Sequence, residues 1–527
     1  MSMDHPDIIF IILDTQRADR LGCYGHTAAI TPNLDAFARR GVLFEQAIAP
    51  AQWTIPSHAS MFTGLYPTAH QVTQSSQALG SDTPHLVELL QASGYETVGF
   101  CNNPLVGILN NGFRRGFETF YNYGGAIPSI PKSSLDVPWP LNHLLSSYTH
   151  LLRRLSYPIQ NFFGRSDLAF RISLNAFLTP LWSRFANFKG QNERSVRDVV
   201  HFLGERERME GDRPLFLFLN LMETHLPFWP PRAFIDQVAP YLRGSREALR
   251  IMRRWNREAY RWGAPLAEPL ADLEQRVLND LYDAEVAYQD DYLGELFELL
   301  QARTNRENTL ILIASDHGDG LGNHGYFGHA FVAYQELVHV PLIIQWPQRL
   351  VEPGRISEPV STRRLFHTIL DAAGPLANGA KVNTAAIHEL SLLQTIRGRD
   401  PEQGTAFSEV YPPLNFLRAI ERHWPELIEP FRCTSLRRAV VRKDEHGVTF
   451  KLIQVDEKPD ELFDLTADAL ELNDLMPQNP PLSELNHQLQ RLATLTAVQQ
   501  EQLAQGDAIK IEDDQLLQRL RGLGYIE

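Results

Sequence analysis

Cysteine is scarce. The 527 residues hold three, Cys23, Cys101 and Cys433, far apart and odd in number, so neither a disulfide framework nor a thiolate metal site is encoded, and a reducing compartment is the expected setting. Long apolar runs are missing too. The N-terminal stretch Ile8-Ile9-Phe10-Ile11-Ile12-Leu13 lies between Asp7 and Asp14 and is too short for a signal-peptide core or a membrane span, which makes a cytoplasmic location the expectation. Positive charge is in deficit: Lys+Arg 49 against Asp+Glu 63 gives a net −14. That excludes a general nucleic-acid binder, because a reader of the phosphate backbone needs a basic footprint. Gly 33 and Pro 34 are not in excess and no internal repeat or low-complexity tract occurs, so disordered and fibrous classes are excluded as well.

What is present is the balance of a globular protein, 43% hydrophobic and 21% charged, in a chain long enough for one large domain with a smaller one appended. The runs Ile8 to Leu13, Thr97 to Cys101, Leu215 to Leu221, Thr309 to Ala314 and Pro341 to Gln345 have the unbroken hydrophobicity of strands buried on both faces, which reads as a parallel sheet. Leu34 to Arg40, Leu86 to Ser93 and Asp283 to Leu300 repeat their apolar residues at three and four positions, as helices packed on a sheet require. The expected fold class is α/β, a doubly wound, mostly parallel sheet flanked by helices, followed by a smaller C-terminal α+β domain. Ligands of such sheets collect beyond the carboxyl ends of the strands. There the sequence places Asp14, Asn102, Glu223 with His225, and Asp316 with His317.

The large domain is read as 1–375, with inserts at 126–190 and 232–277, and the smaller one as 376–527. The first insert carries Lys132, Arg153, Arg154, Arg165, Arg171, Arg184 and Lys189 against Asp136 and Asp167. A basic, apolar segment of this kind fits either peripheral contact with an anionic membrane or a lipid-like substrate, or an ordinary helical lid. Arg232 to Trp262 reads as a charge-mixed surface arm without chemistry. In the smaller domain Ala439 to Arg442 and Phe450 to Val455 look like strands of a meander, and Leu482 to Ala504 like a closing helix.

Two strings carry chemistry. In Trp53-Thr54-Ile55-Pro56-Ser57-His58, Pro56 suits the first turn of a helix, which puts Thr54 at or beside its N-terminus. There the threonine is either a simple helix start or a hydroxyl held where free N–H groups favour an anion. In Ser315-Asp316-His317-Gly318-Asp319-Gly320-Leu321-Gly322-Asn323-His324-Gly325, a buried strand ends in Asp and His and runs into a glycine-rich loop. With Asp14 at the end of another strand, two carboxylates and an imidazole can meet as ligands of a cation.

These residues resemble the sulfatase family of the alkaline-phosphatase-like superfamily. The likeness runs through Leu13 to Asp19, Gly22-Cys23-Tyr24-Gly25, Thr31 to Asp35, Gly41 to Phe44, Phe218 to Pro227, Ser315 to Gly325, Tyr334 to Pro341, Glu461 to Leu465 and Leu523-Gly524-Tyr525, in order along nearly the whole chain. The resemblance implies that Asp14, Asp316 and His317 bind one divalent metal ion. It puts Thr54 in the nucleophile's place, also touching the metal, and makes His225 and His329 the residues that contact the anion or protonate the leaving oxygen. His58, Asn103 and His324 are candidates for substrate binding. The metal is Mn, Mg, Zn or Ca, which the sequence does not choose among.

The departures from the family pattern are specific. Thr54 stands where sulfatases carry the Cys or Ser that becomes formylglycine, and a threonine cannot yield that aldehyde, so no formylglycine is expected. His58 replaces the arginine of that motif and Thr15 the second of two paired aspartates. Asn102-Asn103-Pro104 stands where many sulfatases have Lys-Trp-His, and His329 replaces a lysine. A threonine nucleophile beside a metal resembles the phosphodiesterase and phosphoglycerol-transferase branches. The expected activity is therefore cleavage of a phosphate ester, a phosphodiester or phosphomonoester in a small or lipid-like anionic substrate, through a covalent Thr54 intermediate that water or an acceptor alcohol releases, so by a hydrolase or a transferase. Sulfuric ester hydrolysis is the alternative, and an inactive binding homologue a second one. Nucleic acid is not an expected partner, and the oligomeric state stays open.

Overall fold

The structure, a computed structural model, describes residues 5–124, 191–208, 213–258, 261–377 and 382–503. The 126–190 insert, with its expected membrane or lipid contact, and the Leu523-Gly524-Tyr525 string lie outside the described residues. Eight strands, β1 (Asp7–Leu13), β2 (Val42–Phe44), β3 (Glu96–Cys101), β4 (Thr119–Asn122), β5 (Leu215–Leu221), β6 (Thr309–Ala314), β7 (Leu342–Gln345) and β8 (Gly354–Ile356), form one sheet in the order β8-β2-β7-β6-β1-β5-β3-β4. β1 sits between β5 and β6 and is parallel to both, with Ile11 facing Leu219 on one side and Ile313 on the other. β7 is antiparallel to β6 and to β2, which corrects the reading of Pro341 to Gln345 as one more parallel strand. The loop after β6 returns on the same edge of the sheet without a crossover helix, and a direct return of that kind reverses the strand.

Alternation explains the unbroken apolar runs. Ile8, Phe10 and Ile12 enter one core while Ile9, Ile11 and Leu13 enter the other, all fully buried. Each such side chain contributes about 1.5–3 kcal/mol of burial. One core is roofed by the helices Pro32–Ala38, Asn192–Arg208 and Asp272–Ala302, the other by Thr54–Thr63, Leu86–Ala92 and Leu365–Ala373. Among the described residues, no helix is long and apolar enough to cross a membrane.

The segment Arg232 to Trp262 is not the detached surface arm that its charges suggest. Its arginines mask an apolar face on which Met252, Trp255 and Trp262 are buried, with the Trp255 ring 4.1 Å from that of Phe327. It backs the loop that follows β6. Further on, Ile387, Leu392 and Leu393 of the helices Thr384–Leu390 and Leu392–Ile396 lie in the core of the large sheet, so these residues pack with the first unit although they follow residue 376. Gly374, with φ 83°, ends a helix and not the unit. The four strands Thr405–Val410, Arg437–Lys443, Thr449–Val455 and Lys458–Asp464 then form an antiparallel meander closed by the helix Ser483–Glu501. Two of those strands, Thr405–Val410 and Lys458–Asp464, were absent from the sequence reading.

Ile11→Ala removes a fully buried side chain at the centre of the sheet and is expected to cost about 2–5 kcal/mol, read as a fall in the denaturant midpoint at unchanged slope.

Candidate active site

β1 and β6 are neighbours, and their registered pairs end at Ile12 with Ala314. Asp14 and Asp316 therefore leave the sheet side by side, with His317 next in the chain. One ligand atom from each of Asp14, Asp316 and His317 lies within 4.8 Å of the others, and all three residues are buried. The His317 ring donates from Nδ1 to the Gly318 carbonyl at 2.7 Å, which fixes the tautomer and leaves the Nε2 lone pair free. That Nε2 is 3.2 Å from Thr54 Oγ1. Thr54 is the first residue of the helix Thr54–Thr63, and Trp53 before it offers no side-chain cap, so the helix N-terminus keeps its N–H groups for an anion. Ser57 Oγ donates to the Asp316 carbonyl at 2.6 Å and ties this helix to the end of β6.

Around the cluster sits a ring of polar groups that the sequence placed differently. Asn103 and His58 were expected to bind substrate, but both are fully buried and face the carboxylates instead. Asn103 Nδ2 donates to Asp14 Oδ2 at 2.5 Å, while its Oδ1 accepts from Leu105 N. His58 Nδ1 lies 3.0 Å from the Thr54 carbonyl and 3.3 Å from Asp316 Oδ2, and Nε2 accepts from Asn220 Nδ2 at 3.3 Å. Both residues thus orient Asp14, Asp316 and the start of the helix. His324 is not brought to the cluster. Its Nδ1 lies on Glu336 Oε1 at 2.8 Å and its Nε2 on the Glu471 carbonyl at 3.0 Å, and its ring stacks on Tyr334. Expected to bind substrate, it instead meets Glu471 of the smaller domain. Glu223 is buried beside Tyr288 and Tyr292. Thr15 adopts φ 61°, a left-handed conformation costly for a β-branched residue. Its Oγ1 donates to the Asp14 carbonyl at 2.6 Å and its N–H reaches Asp316 Oδ1 at 3.3 Å.

His225 and His329 are brought to the site. Their ring centroids are 5.1 Å apart, and His329 is 4.6 Å from His317. The sequence reading missed three residues of this region: Asn220, Arg17 and Asp319. Asp319 Oδ1 lies 2.9 Å from His329 Nδ1, and Arg17 Nη1 donates to the Asp319 carbonyl at 3.1 Å. Asn220 is the single polar side chain in the run Leu215 to Leu221, a signal the sequence did offer.

Burial dominates the titration of the cluster. It pushes Asp14 well above the ordinary carboxylate range, with the charge of Asp316 adding to it and Asn103 and Asn220 opposing it. For Asp316 burial acts the same way, but the His317 and His58 rings outweigh it and hold the carboxyl below its usual value. Burial lowers His317 and His329 to about 4 and, with His329 as a like-charged neighbour, His225 to about 3. Asp319 is raised to about 7 by burial, against the pull of His225, His317 and Arg17.

The donors suit a divalent cation. Asp14 Oδ1 is buried without a hydrogen-bond partner, and Asp316 Oδ2 faces the His58 and His317 rings at 3.3 and 3.4 Å; a cation relieves the cost of the bare Asp14 oxygen. Two carboxylates, an imidazole Nε2 and a hydroxyl form a mixed oxygen and nitrogen set of the kind such ions take.

Comparison with known proteins places the chain among its relatives. The chain is 24% identical over 372 residues to an uncharacterized sulfatase, YidJ, of Escherichia coli, covering 70% of this chain and 68% of that protein. It is 23% identical over 410 residues to the N-acetylglucosamine-6-O-sulfatase of Bacteroides thetaiotaomicron, covering 70% and 68%. Among solved structures, the phosphonate monoester hydrolase of Agrobacterium radiobacter superposes with a TM-score of 0.62 at 20% identity, over 94% of this chain and 96% of that one. The sequence pattern of the sulfatase family itself matches residues 6–375, a span that takes in Asp14, Thr54, His225, Asp316, His317 and His329. This chain belongs to the sulfatase family.

Proposed function

We propose that the protein is a metal-dependent hydrolase of phosphate esters, phosphodiesters or phosphomonoesters, with Thr54 as nucleophile. The observation that carries this reading is the hydroxyl of Thr54, placed at an open helix N-terminus 3.2 Å from Nε2 of His317, itself clustered with the buried carboxylates of Asp14 and Asp316. The family acts on sulfuric or phosphoric esters, and within it Thr54 cannot supply the formylglycine on which sulfate-ester chemistry relies. A divalent ion held by Asp14, Asp316, His317 and Thr54 supplies Lewis-acid stabilisation to an alkoxide and to an anionic oxygen. Thr54 Oγ1 attacks phosphorus in line with the leaving oxygen and forms a phosphothreonyl ester. The helix N-terminus and the N–H groups of its first turn bind the non-bridging oxygens. The imidazoles of His225 and His329, beside each other and next to His317, hold the oxyanion and carry the proton of the leaving group. Water then releases Thr54.

A second reading, hydrolysis of a sulfuric ester, is favoured by the sulfatase names of the curated relatives. Bis(p-nitrophenyl) phosphate and p-nitrophenyl sulfate, assayed side by side on Mn²⁺-loaded protein, separate the two. The phosphate ester is expected to turn over faster, and the reverse order supports the second reading. Thr54→Ala is expected to lower kcat by about 10³-fold or more, ~4 kcal/mol of barrier, and to abolish the Thr54 adduct seen by mass spectrometry after acid quench. Full turnover by this variant would overturn the assignment.

Cation binding also has a pH signature. Asp14 in the cation-free cluster keeps its proton well above the usual carboxylate range, so a metal must displace that proton. Mn²⁺ affinity is expected to tighten as pH rises, until Asp14 is ionised, and to release a proton. Calorimetry in buffers of different ionisation enthalpy checks this, and an affinity independent of pH with no proton release would contradict it.

A further inference from the structure

The glycine-rich string after β6 builds a small hairpin, in which Gly320 faces Gly328 and Leu321 faces Phe327. A Cβ on Gly328 would come within 2.0 Å of the Trp262 carbonyl oxygen, so only glycine lets the hairpin reach that backbone. The turn of the hairpin, Asn323–Gly325, carries His324, and here it meets the smaller domain. His324 and Glu471 both adopt the left-handed conformation, with φ 51° and 56°, which is unfavourable for residues other than glycine. The two strained residues face each other across the domain boundary. The turn at Glu471 sends its carbonyl to His324 Nε2 at 3.0 Å, and its carboxylate back to Lys451 Nζ at 2.6 Å and the Gln335 N–H at 2.5 Å.

His324 has an acceptor at each ring nitrogen. Glu336 Oε1 lies 2.8 Å from Nδ1, and the Glu471 carbonyl oxygen 3.0 Å from Nε2. A neutral imidazole has one N–H and serves only one of them, whereas an imidazolium serves both. Charge points the same way. Glu336, Glu471 and Lys451 are all buried, two carboxylates against one ammonium, and a buried carboxylate without a cation is costly. A charged His324 ring balances the group. The other charged groups around it are engaged: Arg17 pairs with Asp19 at 2.7 Å, Glu461 accepts from the Tyr334 hydroxyl at 2.8 Å, and Asp468 accepts from the Asn473 N–H at 2.7 Å. The Tyr334 ring covers one face of His324, with centroids 3.9 Å apart and planes 15° from parallel, and an aromatic face attracts positive charge.

We propose that His324 is a proton-dependent clamp between the active-site hairpin and the smaller domain. With a proton on each ring nitrogen it ties Glu336 to the Glu471 carbonyl. The carboxylate keeps the Nδ1 proton, so at alkaline pH it is the Nε2 proton that passes to solvent. A bare nitrogen lone pair then faces a carbonyl oxygen, and the domain contact opens. Burial lowers the proton affinity of the ring, but the bond and charge of Glu336, with Glu471 adding to them, outweigh burial and raise it to about 9. A ring released to water titrates near its ordinary value of about 6.5. The clamp therefore contributes in full below about pH 6.5 and is lost as pH rises through about 9.

The test uses the full-length protein saturated with Mg²⁺. Nitrogen-15 spectra of histidine-labelled protein should show His324 protonated on both nitrogens at pH 7.5. Loss of those resonances in His324→Gln gives the assignment or, should that variant not fold, their displacement in Glu336→Gln does. Hydrogen exchange of segments 320–328 and 468–475, corrected for the intrinsic rate, should report opening that increases more than about tenfold between pH 7 and pH 9. Glu336→Gln removes the facing carboxylate and should complete its increase below about pH 8, while His324→Gln should vary less than about threefold over the whole range. A merely structural contact would weaken both variants without moving their pH dependence. That result, wild-type opening that ignores pH, or a wild-type ring with a single proton at pH 7.5 overturns the proposal.

Discussion

Two carboxylates delivered side by side, and both buried, are the constraint around which the site is organised. Asp14 and Asp316 follow adjacent parallel strands, so the sheet register that fills the two cores also forces like charges together where water is excluded. Like charges in such a medium raise each other's energy steeply. The surrounding residues answer that cost: Asn103 on Asp14, the His58 ring beside Asp316 Oδ2, the Thr15 N–H on Asp316, and an opening in the ring of donors at Asp14 Oδ1, which has no partner. A cluster left open at that oxygen is a receptor for positive charge. The strained φ of Thr15 belongs to the same account, since the turn it makes aims its N–H at one aspartate and its hydroxyl at the carbonyl of the other.

Much of this was legible from residues alone, for a physical reason. Strands buried on both faces must be apolar at every position, so Ile8 to Leu13, Leu215 to Leu221 and Thr309 to Ala314 were visible as runs, and the first polar residue after a run marks where the sheet opens to a ligand. Asp14, Asp316 and His317 were found that way and Thr54 by the helix start at Pro56, and the four do come together. Short strands leave no such trace. Val42–Phe44, Thr119–Asn122 and Gly354–Ile356 are held by a few ladder bonds to neighbours distant in sequence. The direction of Leu342–Gln345 likewise depends on how its loop returns, which composition does not record.

The residues misplaced from sequence share a cause. His58, Asn103 and His324 are polar groups in or near functional strings, and polarity alone does not say whether a side chain faces a substrate or another side chain. His58 and Asn103 turn inward because the carboxylates need donors, and His324 turns toward the smaller domain because Glu336 and the Glu471 carbonyl are there. Asp319 was passed over because the glycines around it read as a cation loop. Their role is steric: they let two strands of the hairpin and the Trp262 backbone approach closely enough for Asp319 to face His329.

The substitutions relative to the family pattern also change the fixed charge around the site. Thr15 removes a negative charge from the metal cluster, and His58 and His329 remove fixed positive charges that an arginine and a lysine would have kept. A lysine beside the site stays charged throughout a reaction cycle, holding an anion tightly before and after the chemistry. A histidine backed by a buried aspartate is charged only while it carries the second proton. In this chain the pairing of His329 with Asp319 follows from one hairpin register, Gly320 opposite Gly328.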